Sequence, residues 1–279
     1  MTLSRRGLLL GAGALALTAC SSGPVPVVTP SASPTGTVRE QLQAIMDAYA
    51  ANTDLLGMSV TDLRTHATFS FRGDFATNSA SIAKVMIALA ALRKARKAGE
   101  ELSFEHYGRI SKAIRDSDND AADQLWEWVG GVAAYDALAA DLGLASTHSD
   151  PRSAFWSWTT TTPDDQRRLM RLLATGTEAV HEEDRLYLME LMSKTNASQT
   201  WGVGHPRGGK VTVSMKNGWV QFKSLDNRWA VNSIGRVSGE GRDYVAALMC
   251  RTPTFDAGKA LTDAIGADLF AVMGSGELS

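Results

Sequence analysis

Residues 76–98, ATNSASIAKVMIALAALRKARKA, carry a polar turn into a strongly helical segment. Ser81 and Lys84 stand three apart, so on a helix they share a face and their side chains can meet. Ile82, Val85, Leu89 and Leu92 recur at helical spacing, which predicts a buried helix. Ser79 or Ser81 is placed to cap it, with Ser81 in the first turn near unpaired N–H groups. A serine hydroxyl is a weak nucleophile until a base takes its proton. A buried lysine at a helix N-terminus can be that base once its pKa falls from about 10.4 towards neutrality.

Before this stretch the chain reads as an address and a tether. Ser4-Arg5-Arg6-Gly7-Leu8-Leu9 resembles a twin-arginine export signal. An apolar run then leads to Leu17-Thr18-Ala19-Cys20, which resembles a bacterial lipobox. The run Leu8–Ala19 is too short to span a bilayer of about 30 Å. Residues 1–19 are therefore expected to be a signal peptide, cleaved before a diacylated Cys20. Residues 21–37 hold four of the eight prolines and no charge. Together with Cys20 they form a linker unable to bury a core. Residues 38–279 remain as one globular domain. The expected location is the outer face of the cytoplasmic membrane, through the lipid.

Composition excludes several classes. Removing Arg5 and Arg6 from the 28 basic residues leaves 26 against 30 acidic, so no basic patch points to nucleic acid. With Cys20 lipidated, Cys250 has no disulfide partner and reads as a buried thiol. His66, His106, His148, His181 and His205 are scattered without metal-ligand spacing, and no metal or cofactor is expected.

Patterning gives a helix at 38–51, then strands at 56–61 and 67–72 around a turn at Leu63–His66. The Ser81 helix, a helix at 104–114, the polar run Arg115–Asp120 and a helix ending at Gly130-Gly131 follow. A helix at 132–141 leads to an irregular stretch, Thr147–Trp158. Thr159–Pro163 then starts a helical pattern that runs to about Met192. Strands at 211–216, 228–237 and 243–250 precede a last helix with Leu261, Ile265, Leu269 and Val272 on one face. The predicted class is α+β: a five-stranded antiparallel sheet flanked by helices, plus an all-helical lobe.

Three motifs stand in order: Ser81-x-x-Lys84, Ser117-Asp118-Asn119, and Lys216-Asn217-Gly218 at a predicted strand end. Cationic and hydroxylic groups around a serine, with no histidine, suit acyl transfer to an anionic substrate. Glycine at 218 lets a ligand approach a strand edge. A blander reading makes Ser117 and Asn119 helix caps.

In kind and order these motifs resemble those of class A β-lactamases and penicillin-binding proteins. The resemblance covers most of the mature chain and suggests an envelope lipoprotein of actinobacterial type. It implies Ser81 as the acylated nucleophile, Lys84 as its proton acceptor and Ser117 as proton donor to the leaving nitrogen. It also implies Asn119 on the substrate's side-chain amide and Lys216 on its carboxylate, with Asn217 beside it. The N–H groups of Ser81 and Trp219, which follows Gly218, would form the oxyanion hole. The implied partner is a β-lactam or related cell-wall peptide, with a D-alanyl-D-alanine peptidase or a non-catalytic wall-fragment- or protein-binding lipoprotein as alternatives.

The chain departs from that family in three places. Only 36 positions separate Ser81 from Ser117, which implies a trimmed helical lobe. Asn217 replaces a hydroxyl residue. The loop THSDPRSAFWSW (147–158) holds neither the deacylating glutamate nor its asparagine. Asp150 is its only carboxylate, most simply a turn residue or cap beside Pro151 and otherwise a general base. Slow deacylation is therefore expected. Trp156 and Trp158 read chiefly as core beneath the loop, and Trp219 equally as core or cleft wall.

Overall fold

In the computed structural model, residues 35–53, 55–205, 209–221, 223 and 226–279 are described. The twin-arginine segment, Cys20 and most of the linker lie outside them. The chain enters through α1 (Val38–Ala50), where Thr37 and Glu40 exchange side chain-to-backbone hydrogen bonds as a capping box. Strands β1 (Leu56–Asp62) and β2 (Thr68–Phe71) form a hairpin. A short strand β3 (Thr77–Asn78) and a 3₁₀ turn (Ala80–Ile82) lead into α2 (Ala83–Ala98).

The helical lobe adds α3 (Phe104–Arg115), α4 (Asn119–Val129) and α5 (Gly131–Asp141). Gly99 and Gly130 end α2 and α4 at φ 67° and 112°, a conformation that favours glycine. After β4 (Thr160–Thr161), the helical pattern breaks into α6 (Pro163–Thr175) and α7 (Glu182–Ser193). The single run expected to Met192 is interrupted at Gly176. Strands β5 (Thr212–Gln221), β6 (Trp229–Gly239) and β7 (Arg242–Thr252) precede α8 (Phe255–Ser275).

The main sheet is antiparallel, in the order β2-β1-β7-β6-β5. All seven β1 residues are buried, because helices cover both sheet faces. One apolar core joins α1 and α8 to the sheet through Leu42, Met58, Tyr244, Leu248 and Ile265. The other fills the helical lobe and reaches the opposite sheet face through Ile234, Ala247 and Met249. Residues Val85 to Leu89 of α2 are at most 1% exposed, so α2 is the axis of that second core.

Two features fix the junction. The β3–β4 ribbon pairs Thr77 with Thr161 and Asn78 with Thr160. Asn232 on β6 donates from Nδ2 to the carbonyls of Asn78 (2.9 Å) and Ser79 (3.1 Å), just before Ser81. Cys250 is buried and free, and burial pushes its thiol up to about 12.

Candidate active site

Ser81 lies in the 3₁₀ turn rather than in α2 itself, and neither Ser79 nor Ser81 caps the helix through its side chain. Ala80, the preceding residue, has φ 49°. A non-glycine residue held there costs on the order of 1–3 kcal/mol, which surrounding structure must offset. The Asn232 bonds and the Ser79 N–H to Thr159 carbonyl bond (2.7 Å) provide part of that restraint.

The second motif closes over the first. Lys84 Nζ donates to the Ser117 carbonyl (2.5 Å) and to Asn119 Oδ1 (2.7 Å), and stands 3.3 Å from Ser117 Oγ. Ser117 sits at φ 58°, a backbone turn that brings its carbonyl and hydroxyl to the same amine. The cap of α4 is Asp118, which accepts from Ala121 N–H at 2.7 Å. Ser117 and Asn119 are thus not the caps, and their side chains face lysines.

The third motif comes from the edge strand. Lys216 Nζ donates to Ser117 Oγ (2.8 Å) and to the Asn217 carbonyl (2.9 Å). The motif lies inside β5, not at a strand end: Lys216, Asn217 and Gly218 register with Ile234, Ser233 and Asn232. A Cβ on Gly218 would sit 2.7 Å from the backbone nitrogens of Ser81 and Ile82. Only glycine permits that approach.

Asn217 departs from expectation. Strand alternation turns its side chain away from that of Lys216. Its Nδ2 donates to the carbonyls of Gln199 (2.9 Å) and Trp201 (3.1 Å). Both amide protons are thereby used, so Asn217 braces β5 rather than offering a donor to a carboxylate.

Both lysines are fully buried. Burial lowers the Lys84 pKa to about 8, against the opposing pull of Asp118 and Asp123. Burial, and then the charge of Lys84, push Lys216 well below its ordinary value. An arriving anion would relieve that repulsion.

A cleft of about 310 Å³ opens beside the serine, lined by Ser81, Asn119, Asp123, Phe155, Trp156 and Trp219. Trp219 is a cleft wall, tilted against Phe255 at a centroid distance of 5.1 Å. Trp156 is both 6% exposed and a cleft wall, so the loop aromatic expected as core serves both purposes. Asp150 does not line the cleft, and Arg152 donates to it from N (2.8 Å), Nε (2.9 Å) and Nη2 (2.7 Å). Those bonds hold its carboxyl at about 2.

The sequence reading passed over Asp123 and Asn232. Asp123 follows Asn119 by four on α4, a spacing that puts it on the same helix face. Asn232 carries no comparable signal. A larger hollow, about 600 Å³, lies in the helical lobe by Leu92, Arg96, Tyr107 and Asp184 and touches none of the three motifs. Among the described residues no group of histidine, cysteine or carboxylate side chains could hold a metal ion.

A five-stranded antiparallel sheet, a helical lobe and a Ser-x-x-Lys turn at their junction define the class A β-lactamase fold. The chain belongs to the Beta-lactamase enzyme family, whose family model matches residues 37–105 and 108–273. The fold resembles that of the class A β-lactamase of Bacteroides cellulosilyticus at TM-score 0.73 and 17% identity, over 87% of this chain and 100% of that one. A β-lactamase of Sphaerobacter thermophilus gives 0.70 at 20% identity, over 84% and 97%. The Mycobacterium tuberculosis protein named "Putative lipoprotein LppW" is 26% identical over 241 residues, 83% of this chain and 75% of that protein.

Proposed function

We propose that the protein is an envelope-tethered serine hydrolase that forms an acyl-enzyme through Ser81 with a β-lactam or a related cell-wall peptide, and deacylates slowly. One observation carries this reading: Ser117 Oγ is held between Lys216 and Lys84, at 2.8 and 3.3 Å. A hydroxyl between two amines can relay a proton from one to the other as well as satisfy them.

In the proposed reaction, neutral Lys84 takes the Ser81 hydroxyl proton as Oγ attacks the carbonyl carbon. Charge on the carbonyl oxygen falls to the N–H groups of Ser81 and Trp219. The C–N bond then breaks as Ser117 gives its proton to the leaving nitrogen and regains one from Lys84. Lys216 attracts the substrate carboxylate and Asn119 faces the acyl amide.

The test is the intact mass of the protein after incubation with benzylpenicillin. A stoichiometric adduct, lost in Ser81→Ala, is expected. An adduct that survives that substitution refutes the assignment. The Arg152-bound Asp150 also favours a second reading, a lipoprotein that binds wall fragments without turnover. Binding of such a fragment with no adduct from any activated acyl probe would select it.

The tether is proposed from the lipobox-like Leu17–Cys20, and the name of the mycobacterial relative supports it. No described helix is long and apolar enough to cross a membrane. Cys20→Ala should move the protein out of the membrane fraction.

A further inference from the structure

We infer that Trp156 is a positioning residue that keeps water from the acyl-enzyme, its indole covering Lys84 while Asp123 holds the ring in place. The inference rests on the acyl-enzyme reading above and names the residue that sets the lifetime of that species.

Hydrolysis of an ester on Ser81 needs a water beside its carbonyl and a base within hydrogen-bond reach of that water. Among the described residues three groups bear on the task, since Lys216 is taken up by Ser117 Oγ and the Asn217 carbonyl. Asp150 is enclosed by Arg152 and absent from the cleft lining. The other two are Lys84 and Asp123, and Trp156 engages both. Its ring lies over Lys84 Nζ at 4.8 Å from the centroid. Its Nε1–H donates to Asp123 Oδ1 at 2.6 Å.

The remaining surroundings of Lys84 are equally closed. Nζ is directed at the Ser117 carbonyl, Asn119 Oδ1 and Ser117 Oγ, and the indole covers another side. An amine so enclosed stands within reach of Ser117 Oγ and, in the proposed reaction, takes the Ser81 proton. It has no open side on which to hold a water once the acyl group occupies Ser81.

The ring is fixed rather than incidental. The Trp156 carbonyl accepts from Thr159 N–H (3.1 Å) and Thr159 Oγ1 (2.8 Å). Trp126 Nε1 donates to the Ala154 carbonyl two residues upstream at 3.0 Å. A ring restrained at its backbone and at its indole nitrogen excludes water at little further entropic cost.

The test separates acylation from decay of the adduct. Unsubstituted protein, Trp156→Ala and Trp156→Phe are acylated with excess benzylpenicillin, desalted rapidly, and followed by intact mass. Trp156→Ala should lose its adduct at least about tenfold faster, a fraction of the usual worth of a base-activated water. Trp156→Phe keeps an aromatic cover and should decay within about threefold of the unsubstituted protein. Equal adduct lifetimes for Trp156→Ala and the unsubstituted protein would overturn the inference, as would Trp156→Phe decaying as fast as Trp156→Ala. If Trp156→Ala fails to fold, Trp156→Val keeps more of the packing while removing the aromatic cover from Lys84. Faster decay there supports the inference and an unchanged lifetime overturns it. No adduct on the unsubstituted protein refutes the acyl-enzyme reading and this inference with it, whereas adducts that form and persist equally in all variants refute the role of Trp156 alone.

Discussion

Gly218 and Ser81 approach so closely that a methyl group on Gly218 would lie 2.7 Å from the Ser81 backbone nitrogen. The edge of the sheet is thus fitted to the turn that bears Ser81, with no space for a side chain between them. Gly218→Ala should displace the proposed oxyanion donors and lower the rate of adduct formation by about 100–1000-fold. Comparing the second-order rate of benzylpenicillin adduct formation in the two proteins checks this.

Lys84 gives the proposed acylation its pH dependence. Burial lowers its pKa to about 8, so the neutral amine grows about tenfold per pH unit below that value and saturates above it. The adduct-formation rate should follow the same rise, reach half its maximum near pH 8 and level off above it. Lys84→Arg, whose side chain stays protonated throughout, should form no adduct at any pH. Rapid-quench mass spectrometry across pH 5–9 reads both.

Asp150 should be nearly silent in deacylation. Its carboxylate faces Arg152, which holds its pKa at about 2. Asp150→Asn is expected to change adduct lifetime by less than about threefold, against the 100–10000-fold loss that follows removal of a true general base. A slowing in that larger range would restore Asp150 to the mechanism.

Asp62 is a structural anchor that does not line the cleft. It is fully buried at the end of β1 and accepts from Arg64 N and Nε at 2.9 Å, Arg64 Nη2 at 2.6 Å and Leu278 N at 3.2 Å. Asp62→Ala would strand those donors and should cost about 2–4 kcal/mol. Urea denaturation should show the loss as a lower midpoint, while adduct formation by the folded fraction stays unchanged.

The three motifs were legible because their spacing is local, and spacing is what a sequence displays directly. The order of helices and strands was legible for the same reason. The position of Lys216-Asn217-Gly218 was not. Lysine and asparagine look like the polar end of a strand, yet both are fully buried in the middle of β5. Tertiary partners, Ser117 for one and the carbonyls of Gln199 and Trp201 for the other, satisfy them there. The cap of α4 was misassigned between Ser117 and Asn119, since any residue of Ser117-Asp118-Asn119 can cap and only backbone geometry selects Asp118. The break at Gly176 was missed because helical periodicity resumes in α7. Asn232 depends on a contact across more than 150 positions, which no local pattern carries.

The strand order also constrains how the protein is made. Gly57 and Met249 are neighbours in register across β1 and β7, yet stand 192 positions apart. A ribosome must therefore release nearly the whole chain before the centre of the sheet can close. Until then β1 and β2 are an isolated hairpin, and the β1 edge that β7 will cover stays open. Folding dominated by such distant pairings is slow and exposes aggregation-prone edges meanwhile. The newly made chain thus carries an open β1 edge through most of its synthesis.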